Sequence, residues 1–127
     1  MARLQDKAIA LLNTGTVALQ DGDGKTTVYT VPAGKSAIVT HVIIRNPCGS
    51  LDSGGTGDFD IGDGAGADTW VTATDLDTLT ATTDCIVIPA PATKFTVFNA
   101  GDAFGIIPVT GATLDVTATM EVFGYEF

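Results

Sequence analysis

Near its C-terminus the chain reads LDVTATMEV (residues 114–122), with an apolar side chain at every second position. Successive side chains of a strand point to opposite faces, so a period of two marks a sheet with one buried side. On a helix the same residues would be spread around the whole circumference. Leu114, Val116, Ala118, Met120 and Val122 are therefore expected to face a core, with Asp115, Thr117, Thr119 and Glu121 on the other side.

Shorter segments follow the same rule. TTVYTV (26–31) leads through the proline–glycine turn PAGKS into AIVTHVIIRN (37–46), where Ile38, Val42 and Ile44 should share a face with Thr40. DFDI (58–61) places Phe59 and Ile61 inward and Asp58 and Asp60 outward, and CIVIPA, KFTVFN and AFGIIPV are further short apolar runs. Twenty threonines favour strands, while 15 glycines and five prolines punctuate them. Pro89, Pro91 and Pro108 belong at strand ends or edges.

Only the start of the chain has helical spacing. Leu4, Ala8, Leu11 and Leu12 recur at three- and four-residue intervals among Arg3, Gln5, Asp6 and Lys7. This predicts a short helix or docking arm over residues 1–14, with one β-domain over 15–127. Several short strands with unequal connections predict an all-β antiparallel sandwich, jelly-roll-like in form.

Charge narrows the partners. Fifteen Asp and Glu oppose six Lys and Arg, giving a net charge of −9. Between Asn46 and Thr93 there are eight aspartates and no Lys or Arg. A polyanion is repelled by such a surface, so no nucleic-acid partner is expected. No apolar run approaches the roughly 18 residues of a membrane helix, and residues 1–12 lack a signal peptide's apolar stretch, so no membrane partner is expected and synthesis belongs in a cytoplasm. Cys48 and Cys85 are too few for a disulfide framework and, with His41 the sole histidine, too few for a structural zinc. Two reduced, packed thiols are expected, a Cys48–Cys85 bridge being the alternative.

The stretch GGTGDFDIGDGAGADTW (54–70) invites chemical readings. A calcium β-roll needs stacked copies of its glycine–aspartate repeat, and only one and a half imperfect copies are present. An EF-hand starting at Asp58 or Asp21 would place Thr69 or Pro32 where a bidentate glutamate is required. A dinucleotide loop requires a helix after GDGAGA, but the Thr-rich DTWVTATDLDTL follows. Turn chemistry remains: glycines for positive φ and aspartates that cap turns. A looser calcium site from Asp58, Asp60 and Asp63 is the minor alternative. Trp70 is expected in the core or at a subunit contact, with a platform for a sugar ring as the other use of its ring.

No catalytic constellation emerges. Ser36, Ser50 and Ser53 have only His41 as a base, and His41 sits mid-strand among apolar neighbours, as a structural histidine would. Paired carboxylates are plentiful, but a glycosidase usually needs a long cleft lined with aromatics, and these make up only 7% of this short chain. No enzyme activity, resident metal or cofactor is expected.

The segments TTVYTVPAGKSAIVTHVIIRNP (26–47), NAGDAFGI (99–106) and VTATMEVFGYEF (116–127) resemble small β-sandwich virion structural proteins of tailed bacteriophages. Those proteins share the Y-T-V-P-A-G-K strand and turn and a chain that stops near G-Y/V-E. The resemblance implies a capsid decoration (cement) protein, or else a tail or baseplate accessory protein, located in the virion. It implies self-association, with a trimer favoured, and the major capsid protein or another virion protein as partner. The third reading is a carbohydrate-binding module using Trp70 and the aspartate loop.

After Val122 the alternation changes character, because Phe123, Tyr125 and Phe127 fall on the face that had been polar. An apolar patch there suits a subunit interface, unless a second sheet of the same chain covers it. Leu4, Leu11, Leu12 and Trp70 complete the expected interface residues.

Overall fold

Nine strands and no helix make up the described residues 9–51, 57–91 and 95–127 of the computed structural model. They are β1 (Ala10–Ala18), β2 (Thr26–Thr30), β3 (Ser36–Arg45), β4 (Asp58–Gly62), β5 (Val71–Asp75), β6 (Cys85–Pro89), β7 (Val97–Asn99), β8 (Ala103–Thr110) and β9 (Thr117–Glu126). One sheet has the order β1-β9-β3-β6, with β7 also paired to β3, and the other has the order β2-β8-β4-β5. All the pairings between strands are antiparallel.

The chain follows the path of one long hairpin folded over on itself. Its outgoing limb, β1 to β4, pairs with its returning limb, so that β1 meets β9, β2 meets β8, β3 meets β6 and β4 meets β5. The limbs cross between the two sheets together, which gives the expected all-β antiparallel sandwich. The cation-free stretch from Asn46 to Thr93 holds the tip of this hairpin, β4 and β5.

The core lies between the sheets. Val17, Val42, Ile44, Ala118, Met120 and Val122 reach it from the first sheet, and Val28, Phe59, Ile61, Phe104 and Ile106 from the second. Phe104 holds Trp70 on one side and Phe98 on the other in edge contacts, at centroid distances of 5.4 and 5.3 Å.

Three expectations need correction. Leu11 and Leu12 belong to strand β1, not to a helix, while Leu4 and the other residues of 1–8 lie outside the described residues. The local sequence LLNTGTV carries β-branched residues and a glycine, and pairing with β9 satisfies its backbone as a strand. Leu114 is 75% exposed: it lies ahead of β9, which begins at Thr117, and the inward alternation starts only with the buried Val116. Ile38 does not share the buried face of Val42 and Ile44; Ala37 and Val39 do. A bulge between Val39 and His41 inserts Thr40 and exchanges the faces of the strand.

Glycine makes that bulge possible. A Cβ on Gly124, the partner of Val39, would lie 1.9 Å from the Ile38 carbonyl oxygen. Gly105 stands beside the bulge of β2 in the same way, where a Cβ would lie 2.0 Å from the Thr26 oxygen. No described helix is long and apolar enough to cross a membrane.

Candidate functional site

The glycine–aspartate stretch acts within the fold. Asp63 and the Thr69 hydroxyl bond reciprocally: the Asp63 N–H donates to Thr69 Oγ1 at 2.9 Å, and that hydroxyl donates to the Asp63 carboxylate. Gly64 takes a φ of +76° and Ala67 one of +48°, turning the loop back so that the Trp70 N–H reaches the Ile61 carbonyl. Trp70 then enters the sandwich, where its indole is buried and Nε1 donates to the Val39 carbonyl at 3.3 Å. Its ring is core, which removes it both as a sugar platform and as an exposed subunit contact.

The proposed calcium carboxylates have separate duties. Asp60 Oδ1 accepts the N–H of Ala73 at 2.9 Å, holding the irregular pairing of β4 and β5 where Ala73 has a φ of +52°. Asp63 is engaged with Thr69, and Asp58 stands across from Asp75 in the register. Among the described residues no three His, Cys, Asp or Glu side chains are grouped to hold a metal ion. Residues 54–56 of the stretch lie outside the described residues.

A surface depression of about 410 Å³ lies beside this loop, lined by Lys25, Asp63, Gly64, Ala65, Gly101, Asp102 and Ala103. Lys25 Nζ is already committed there, donating to the carbonyls of Gly64 at 2.8 Å and Ala103 at 2.5 Å. Burial pushes its pKa down, opposed by the nearby Asp63 carboxylate. The lysine ties three turns together and offers no free cation to a ligand.

Cys48 and Cys85 are free thiols and both are exposed, not packed as expected. Cys48 Sγ accepts the Thr117 N–H at 3.2 Å and the Thr117 hydroxyl at 3.6 Å, and these donors lower its pKa.

The feature with the reach of a site is the outer face of the β1-β9-β3-β6 sheet. Its residues form cross-strand rows. One row runs Val97, Ile38, Tyr125, and the next Pro89, His41, Phe123, Leu11. A third runs Val87, Ile43, Glu121, and the last Cys85, Arg45, Thr119. His41 stacks on Phe123 with ring centroids 4.7 Å apart and planes 5° apart, and its Nδ1 meets the Thr40 hydroxyl at 3.0 Å. Tyr125 and Phe127 are in ring contact at 6.0 Å. The second sheet packs against the opposite side, so it does not cover Phe123, Tyr125 or Phe127.

This face is electrically quiet. Its one carboxylate, Glu121, accepts a hydrogen bond from Arg45 Nε at 2.8 Å. Asp58, Asp60 and Asp75 alternate with the buried Phe59 and Ile61 or lie on neighbouring β5, and so belong to the outer side of the other sheet. The expected interface residues divide accordingly. Leu11, Phe123, Tyr125 and Phe127 meet on one surface, Leu12 packs partly against the core, Trp70 is inside, and Leu4 lies outside the described residues. Sequence reading missed Ile38, Ile43, Val87 and Val97; the apolar run IVI at 86–88 was the available signal.

No family model matches the chain, and no curated protein matches it. Solved structures do. A chain of the cyanophage Pam1 capsid asymmetric unit superposes with a TM-score of 0.59 at 21% identity, covering 94% of this chain and 85% of that one. A chain of the acid-stable capsid of Helicobacter pylori bacteriophage KHP30 superposes with a TM-score of 0.54 at 13% identity, covering 95% of this chain and 98% of that one. The chain thus shares its all-β fold, over nearly its whole length, with chains of phage capsids.

Proposed function

We propose that this protein is a structural component of a tailed-phage virion, which decorates and stabilises the capsid by associating with itself and with the coat lattice. The observation that carries the reading is the near-complete superposition on chains of two phage capsid structures. The molecule is suited to such a role, with a rigid sandwich, one neutral apolar face and one acidic face. An adhesive shell component needs no reaction centre, and we assign it none. A homo-oligomer is the favoured assembly, with the major capsid protein as the main partner.

Co-sedimentation tests this directly. The purified protein should pellet with assembled coat shells and stay in the supernatant with unassembled coat subunits. Equal binding to both, or to neither, would overturn the capsid reading. We also assign the residues ahead of β1 a part in docking. Deleting residues 2–8 should weaken shell binding several-fold and leave the β-type circular dichroism unchanged; undiminished binding would refute that part.

A further inference from the structure

We infer that the outer face of the β1-β9-β3-β6 sheet is the contact surface between copies of this chain. The inference rests on the virion reading for its setting and goes beyond it by naming the surface and its occupant.

Three observations select another copy as that occupant. The first is charge. In a chain of net charge −9, the rows from Val97 to Thr119 contain one carboxylate, and Arg45 neutralises it. Two copies can meet there without opposing like charges, whereas contacts through β4 and β5 would set Asp58, Asp60 and Asp75 against their own images. The second is apolar exposure. Val87 at 55%, Val97 at 47%, Leu11 at 47% and Phe127 at 46% are all exposed in or beside the same rows.

The third is extent. With strands ~4.8 Å apart and same-face residues ~6.6 Å apart along each strand, the rows cover on the order of 400 Å² of sheet. Side-chain relief brings this to roughly 600 Å² of accessible surface, so a pair of copies buries about 1,200 Å², the lower bound for a stable specific interface. A partner reading charge would need charged groups opposite it. This face offers few, and a second copy supplies the matching neutral surface in fixed proportion.

Light scattering of the full chain after size exclusion, at 10 to 200 µM, tests the inference. The unmodified protein should associate. Val87→Lys and Val97→Lys should each weaken association at least about 100-fold, since each would place a lysine inside a closing apolar contact. Leu114→Lys, exposed but away from these rows, should leave association unchanged, and melting curves verify that each variant is folded. A wild-type monomer at 200 µM, or oligomers untouched by both lysines, would overturn the inference. Shell binding by that monomer would leave the capsid reading intact, whereas association lost in both variants without any shell binding would uphold the face and refute the capsid reading.

Discussion

Trp70 donates its indole N–H to the carbonyl of Val39, the residue just before the bulge of β3. A bulge withdraws a backbone group from the ladder, and a buried carbonyl without a donor costs about 1–3 kcal/mol. The loop that looked like a ligand cradle therefore delivers a buried hydrogen-bond donor to the central strand beside its bulge. Trp70→Phe should keep most of the packing but orphan the Val39 oxygen, lowering unfolding free energy by about 1–3 kcal/mol. Trp70→Ala adds a cavity and should cost about 3–5 kcal/mol. Denaturant unfolding checks both; a neutral Trp70→Phe would contradict this role for the loop.

Gly124 holds the same bulge from the other side. A methyl group there meets the Ile38 carbonyl well inside van der Waals contact, and the obstacle is backbone on the central strand. Gly124→Ala should cost at least about 3 kcal/mol or prevent folding. Expression with thermal unfolding measures this, with Gly24→Ala, a position whose Cβ would meet nothing and whose backbone is not in the left-handed region, as the open-space comparison.

Tyr29 provides a handle at alkaline pH. Burial, with the Glu126 carboxylate beside it, pushes its pKa up to about 12, yet the buried hydroxyl has no hydrogen bond of normal geometry. The phenol stays neutral in the folded chain while the unfolded chain ionises near 10, so its contribution is complete below pH 10 and is lost as pH rises toward 12. The wild type should lose on the order of 1–2 kcal/mol more than Tyr29→Phe across that window. At pH 7 the two should agree within about 1 kcal/mol.

Cys48 should titrate below an ordinary thiol, because the Thr117 N–H and hydroxyl both point at its sulfur. Alkylation followed by peptide mass spectrometry should show Cys48 reacting at lower pH in the folded protein than in urea. Thr117→Val removes the hydroxyl and keeps the backbone donor, so it should move the profile only part of the way back.

What the sequence disclosed was whatever depends on local alternation. Ala118, Met120 and Val122 face the core as their spacing requires, and Phe59 and Ile61 do so between their aspartates. The turn character of the glycine–aspartate loop was also legible, since no competing motif had its partners in place. The bulge at Thr40 was not, because nothing in AIVTHVII marks the extra residue until Gly124 arrives from a strand some eighty positions later. Strand β1 was obscured by leucines whose intervals imitate a helical turn, and β5 by the small, half-polar VTATD at a sheet edge. Three members of the terminal aromatic cluster could be named from the chain end. Their continuation through Ile38, Ile43, Val87 and Val97 required the register of four strands.

Electron microscopy of the purified virion locates the protein and tests the central claim most directly. Density for this sandwich should lie on the capsid shell in symmetric groups, with the rows through His41 and Phe123 covered by a neighbouring copy. A shell that lacks the density, or one that carries isolated copies with that face open to solvent, would contradict the account.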